Sequence, residues 1–131
     1  MAAKTAKTQT LKFKRLVNAP PSEVYRAFTH ATALRDWLSN AAETDPTPGG
    51  RLYLWWANGY YANGEFTALE PGKKVAFTWH GKGEPAPTRI QVSLAAKNGS
   101  TQVTLAHSGI GRGKQWAQTA AEFAREWEAG L

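Results

Sequence analysis

Residues 69–79 read LEPGKKVAFTW, a proline-glycine pair followed by an alternating run of apolar side chains. Proline and glycine in succession favour a tight turn. After the turn, Val75, Phe77 and Trp79 recur at every second position, which is the period of a β-strand with one buried face. This stretch therefore predicts a β-hairpin whose second strand presents an aromatic face to the protein core.

The same period of two extends from this hairpin in both directions. Glycine-bearing turn sequences recur between residues 48 and 99, and alternating apolar runs lie between them. Antiparallel strands joined by such turns form a meander. The pattern predicts strands at residues 51–57, 60–70, 75–80, 89–97 and 101–108, with residues 81–87 as a polar loop. Gly64 lies inside one of these strands, so we expect a bulge or a close backbone approach there.

The segment before the meander combines one strand with two short helices. Residues 10–17 alternate partially between apolar and basic side chains, as in a half-buried strand. The prolines at positions 20 and 21 suit the first turn of a helix, where an N–H has no intrahelical partner. Val24 and Phe28 then fall at helical spacing, and Leu34 continues this face into a second short helix that ends near Trp37.

The segment after the meander returns to a helical period. Trp116, Ala120, Phe123 and Trp127 are separated by four, three and four residues, so they share one helix face. The elements together predict an α+β helix-grip fold in which a six-stranded curved antiparallel sheet holds one long C-terminal helix across its concave face. We expect residues 10–131 to form this single domain and residues 1–9 to form a disordered tail.

Composition restricts the class of protein. The chain has 131 residues, 42% of them hydrophobic and 20% charged, which is typical of one globular domain. It has no cysteine, which excludes disulfides, thiolate metal sites and cysteine nucleophiles. The first ten residues have no apolar run, so we expect neither a signal peptide nor a membrane span, and we expect a cytoplasmic location. The net charge of +6 is scattered, which favours a solvated surface over a nucleic-acid partner.

Several short motifs also resemble those of a known family. They are residues 18–29 (NAPPSEVYRAFT), 34–37 (LRDW), 49–52 (GGRL), 69–79 and 101–109, which ends in HSG. Their order and spacing resemble the SRPBCC (START-like, helix-grip) superfamily, most closely the branch named for activator of heat-shock protein 90 ATPase homologues. The resemblance covers residues 11–131. It departs from the family pattern at Leu38, where a second tryptophan is frequent, and in the last helix, which usually runs further than it does here.

The resemblance implies an apolar cavity between the sheet and the long helix. Family members include ligand carriers, cyclases, hydrolases and co-chaperone domains, so membership alone does not select an activity. Three hypotheses follow for this chain: a binding module for a small apolar or aromatic molecule, which we favour; a cyclase or hydrolase that uses the same cavity; and a co-chaperone-like interaction domain. Both a monomer and a homodimer are compatible with the sequence.

The candidate ligand-binding residues are mainly aromatic. The chain has six tryptophans, five phenylalanines and four tyrosines, and small-molecule pockets are lined mainly by such side chains. For any single ring, packing in the core is the alternative. In the strand at 51–57, alternation separates Trp56 from Trp55, and we choose Trp56 as the inward ring. The predicted set is Trp37, Trp56, Tyr61, Phe66, Phe77, Trp79, Val92, His107, Trp116, Phe123 and Trp127.

His107 is the polar member of this set, because it continues the apolar face of its strand. It is either a hydrogen-bonded core residue, a ligand contact, or a general acid or base for the enzyme hypothesis. Tyr61, Glu65 and Arg89 are its candidate companions. The chain has no catalytic triad, metal-ligand spacing or phosphate-binding glycine loop, so we predict no cofactor and no metal.

Overall fold

A computed structural model describes residues 8–111 of the chain, which form seven strands and two helices. The elements in chain order are β1 (Thr8–Val17), α1 (Pro21–Thr29), α2 (Ala31–Trp37), β2 (Ala41–Thr44), β3 (Arg51–Trp55), β4 (Tyr61–Glu70), β5 (Lys74–Gly81), β6 (Thr88–Lys97) and β7 (Ser100–Gly111). The predicted long C-terminal helix, with Trp116, Phe123 and Trp127, lies outside the described residues. Neither described helix is long and apolar enough to cross a membrane.

The strands form one antiparallel sheet in the order β1-β7-β6-β5-β4-β3-β2. The strands β2 to β7 are neighbours in the order in which the chain makes them, which confirms the predicted meander. The first strand pairs with the last, so β1 and β2 lie at opposite edges. The chain crosses between these edges through α1 and α2, and α1 packs on β5, β6 and β7.

The sheet has one strand more than the six that were predicted. The missed strand, β2, pairs antiparallel with β3 from Ala41↔Trp55 to Thr44↔Leu52. Its sequence, AAET, is only four residues long and contains little that favours a strand, so it has no periodicity to detect. The first strand also starts earlier than predicted, at Thr8, and Gln9 pairs with Ile110.

The hairpin turns follow the predicted sequence signals. Between β6 and β7, Asn98 and Gly99 have φ angles of 50° and 85°, and the flanking Lys97 and Ser100 are paired. A two-residue loop with positive φ at both positions matches the right-handed twist of antiparallel strands. This loop fixes the register of the hairpin, and with it the face on which each side chain of β6 and β7 lies.

One face of the sheet, called the inner face below, carries the hydrophobic core. The alternating side chains of β5, β6 and β7 are buried there, which confirms the predicted period of two in these strands. The members from these strands are Val75, Phe77, Trp79, Ile90, Val92, Leu94, Val103, Leu105 and His107. In β3, Leu52 and Leu54 are buried, so the inward face is the one that Trp56 shares. Val24 and Phe28 of α1 and Leu34 of α2 belong to the same core cluster.

Candidate functional site

The inner face carries a row of contacting aromatic rings at one end of the sheet. Trp56 follows β3 and contacts both Tyr60 and Trp79, with ring centroids 5.1 and 6.1 Å apart. Trp79 in turn contacts His107, with the ring centroids 6.4 Å apart. We call Trp56, Tyr60, Trp79 and His107 the aromatic row. It crosses the sheet from β3 to β7, because these strands are linked by successive hairpins that place their inward positions side by side.

Polar atoms lie within this aromatic row. The Tyr60 hydroxyl donates to Oε2 of Glu84 at 2.5 Å and accepts the indole N–H of Trp79 at 3.0 Å. The other carboxylate oxygen, Oε1 of Glu84, accepts the backbone N–H of Gly81 at 2.7 Å. Glu84 is only 9% exposed, so its carboxylate depends on these donors in place of water. The result is a hydrogen-bonded carboxylate embedded beside two aromatic rings.

Close packing at Gly81 fixes the position of this carboxylate. The loop after β5 turns back so that the backbone N–H of Glu84 donates to the Gly81 carbonyl at 3.1 Å. A Cβ atom at position 81 would lie 2.0 Å from the Tyr60 hydroxyl oxygen and 2.3 Å from Oε2 of Glu84. Only glycine leaves room there for the tyrosine–glutamate pair, because both distances are far shorter than any real contact of a Cβ atom.

His107 is fully buried at the other end of the row. Its Nε2 lies 2.7 Å from the Thr88 hydroxyl, which itself lies 3.2 Å from the Trp79 carbonyl oxygen. If Nε2–H donates to Thr88, the threonine hydroxyl is free to donate to that carbonyl, so both hydrogens are used. Burial lowers the pKa of His107 to about 3, which keeps the imidazole neutral at physiological pH. An imidazole with so low a pKa is a weak base, so His107 is suited to hydrogen bonding and not to acid–base chemistry near neutral pH.

The structure brings most of the predicted ligand-binding residues together. Trp56 is partly buried against the core cluster, and its indole N–H donates to the Leu38 carbonyl at 2.8 Å. Trp37 also packs against the cluster, at 5.1 Å from the ring of Phe28, and its N–H donates to the Ala27 carbonyl. The predicted residues that are fully or nearly fully buried on the inner face are Phe66, Phe77, Trp79, Val92 and His107.

Tyr61 and the proposed companions of His107 do not join this group. Tyr61 is 38% exposed, and its ring lies 6.2 Å from that of Tyr53 on the opposite, outer face of the sheet. Glu65 and Arg89 are also exposed and alternate with buried neighbours of β4 and β6. The prediction that these three residues accompany His107 is wrong, because strand alternation places them on the other side of the sheet.

Sequence reasoning missed Tyr60, Glu84 and Thr88. Glu84 and Thr88 fall in or next to the segment predicted as a polar loop, where no periodicity marks an inward side chain. The available signal was Gly81 followed by a glutamate three residues later, a spacing that lets a carboxylate reach back to a backbone N–H. Within residues 8–111, no cluster of three or more histidine, aspartate or glutamate side chains could hold a metal ion.

Comparison with known proteins identifies the family. Residues 18–131 match the family model described as "Activator of Hsp90 ATPase homolog 1-like protein". The chain belongs to this family. Over 92 residues it is 30% identical to the activator of 90 kDa heat shock protein ATPase homolog 1 of Mus musculus. Those residues are 69% of this chain and 26% of the mouse protein, so the match spans about a quarter of the length of that relative.

Solved structures support the same fold for this family member. The Aha1 dimer from Colwellia psychrerythraea aligns with a TM-score of 0.78 at 21% identity, over 94% of this chain and 90% of that one. An HSP90 activator from Plasmodium falciparum aligns with a TM-score of 0.73 at 23% identity, over 92% of this chain and 91% of the other. The resemblance inferred from the sequence motifs is thereby confirmed.

Proposed function

We propose that the inner face of this family member binds a small apolar or aromatic molecule. The observation that supports the proposal is the aromatic row with polar atoms embedded in it. Small-molecule sites are built in this way, with apolar and aromatic walls and a few fixed polar groups that orient the ligand. The row contains a tyrosine hydroxyl and a neutral imidazole, and the Glu84 carboxylate beside it accepts from that hydroxyl.

Trp56 is the best residue with which to test this proposal. It is only partly buried, so part of its side chain is accessible at the margin of the core. Trp79 is only 4% exposed, so replacing it would also destabilise the core. Its sequence neighbour Trp55 points to the outer face, where its ring lies 4.9 Å from that of Tyr53. Two adjacent tryptophans on opposite faces therefore provide a site variant and a matched control.

We expect Trp56→Leu to weaken binding about tenfold, which corresponds to about 1.4 kcal/mol, and Trp55→Leu to change it less than twofold. The measurement is isothermal titration calorimetry with oleic acid, quercetin and cholesterol, because its signal does not depend on tryptophan fluorescence. Equal losses in both variants would argue against the inner face. Absence of heat with all three compounds at 100 μM protein would count against the binding function itself.

We propose contact with an Hsp90-type chaperone as a second candidate function. Support comes from the names of the mouse and Plasmodium falciparum proteins that the chain resembles. The test is stimulation of the ATPase of the purified chaperone from the same cell, with the Trp56→Leu and Trp55→Leu variants beside the wild type. Stimulation of ATP hydrolysis severalfold by the wild type is expected, and no change at a tenfold molar excess would remove this candidate.

A further inference from the structure

An open cleft of about 920 Å³ lies on the outer face of the sheet, away from the aromatic row. It extends over β2, β3, β4 and β5. Its lining includes two tyrosines, three carboxylates and a histidine, and the members that matter here are Glu43, Asp45, Tyr53, Tyr61, Glu65 and His80. We call this feature the outer cleft.

Strand register places these side chains in rows across the sheet. Glu43 of β2 pairs with Tyr53 of β3, which pairs with Asn63 of β4, which pairs with His80 of β5. These four positions share the outer face, so the row begins with a carboxylate and a phenol ring at the sheet edge. Tyr61 adds a second ring, 6.2 Å from Tyr53 between ring centroids.

The charge of the outer cleft is opposite to that of the whole chain. Glu43, Asp45 and Glu65 contribute three carboxylates and Arg51 one guanidinium to its lining, while the chain carries a net charge of +6. All three acidic side chains are exposed to solvent. A cation that approaches this protein is therefore attracted to the outer cleft.

Tyrosine rings and carboxylates side by side are suited to the side chains of lysine and arginine. An ammonium or guanidinium group is attracted to the face of a tyrosine ring, and it forms charge-assisted hydrogen bonds with a carboxylate. Nucleic acid and anionic lipid are disfavoured by the same carboxylates. The outer cleft thus selects for cationic ligands.

The dimensions of the outer cleft favour a peptide over a small cation. Four strands at a spacing of about 4.8 Å span roughly 15 Å, the length of four or five residues in extended conformation. We propose that the outer cleft binds an extended, lysine- or arginine-rich segment of a partner protein.

The test uses the whole chain and a five-residue probe peptide of alternating lysine and arginine, acetylated and amidated at its ends. Binding is measured by calorimetry in 50 mM salt. We expect the triple variant Glu43→Gln, Asp45→Asn, Glu65→Gln to bind the peptide at least tenfold more weakly than the wild type. Tyr53→Leu, which keeps every charge, is expected to weaken binding about fivefold.

Two controls separate a built site from general attraction. The variant Glu23→Gln, Glu70→Gln removes two exposed carboxylates outside the outer cleft and is expected to bind within twofold of the wild type. A probe with every basic residue replaced by glutamine is expected not to bind. Thermal melting of each variant checks that the fold is intact.

The proposal is overturned if the triple variant binds as the wild type does, or if the control double variant loses as much affinity as the triple. It is also overturned if tetramethylammonium binds as tightly as the peptide, since the site would then recognise a small cation. Trp56→Leu is expected to leave peptide binding unchanged, so the outer cleft and the inner face are tested independently.

Discussion

Replacing Gly64 by alanine is expected to lower the free energy of unfolding by roughly 3 kcal/mol or more, although only one methyl group is added. A Cβ atom at position 64 would lie 1.8 Å from the carbonyl oxygen of Thr78 and 2.7 Å from its carbonyl carbon. Both are backbone atoms of β5, so no side-chain rotation relieves the clash. Strands β4 and β5 would have to separate locally at the centre of the sheet.

Gly83→Ala is the matched control for this substitution. Gly83 has a φ of 78°, and no atom lies within 4 Å of the place that a Cβ atom would take, so alanine there incurs backbone strain but no clash. We expect that variant to lose about 1 kcal/mol. Urea unfolding of the wild type and both variants gives the comparison. Equal losses for the two variants would contradict the close approach of β4 and β5.

Stability is also expected to fall as the pH is lowered from 7 to 5, and His107 is expected to account for about 2 kcal/mol of that loss. Burial lowers its pKa to about 3, whereas the unfolded chain binds a proton at about 6.5. Below pH 6.5 the unfolded state therefore takes up a proton that the folded state does not, so the free energy of unfolding decreases as the pH falls. The loss continues until the pH approaches 3.

The variant His107→Gln isolates this contribution from that of the acidic residues. Its amide can still donate to the Thr88 hydroxyl, which accepts at 2.7 Å in the wild type when Nε2 carries the hydrogen. We expect the free energy of unfolding of the variant to fall about 2 kcal/mol less between pH 7 and pH 5 than that of the wild type. Parallel pH profiles for the two proteins would show that His107 titrates normally.

Strong alternation explains which parts of the fold were predictable. Strands β5, β6 and β7 have uninterrupted apolar positions of period two, and their inward residues are those that the sequence indicated. Strand β2 has no such pattern. Its four residues form a strand because they pair with β3, and not because of their own side chains. Short edge strands of this kind are specified by tertiary context.

The prediction that Tyr61 lines the inner site is wrong, and its position in the sequence explains why. Tyr61 and Phe66 are five residues apart, so in a regular strand they lie on opposite faces and cannot line one cavity. Burial of Phe66 and Ala62 places Tyr61 outward, where it joins Tyr53 in the outer cleft.

The polar part of the inner face was not predictable from periodicity. Glu84 lies in a loop and reaches Tyr60 through a turn at Gly81, and the two residues are 24 positions apart. No local sequence pattern predicts such a pair, because the pairing of β4 with β5, with Ala62 opposite Gly81, brings the two residues together. By contrast, the inward direction of His107 followed directly from its place on the apolar face of β7.

Intermolecular nuclear Overhauser effects can test whether an apolar molecule binds to the inner face, as proposed. Oleic acid is added to protein with labelled aromatic rings. If the acyl chain lies on the inner face, contacts are expected to Trp56 and Tyr60, the two partly exposed members of the aromatic row, and none to Tyr53 or Tyr61. Contacts confined to those two outer-face tyrosines, or no contacts at saturating oleic acid, would rule out binding at the inner face.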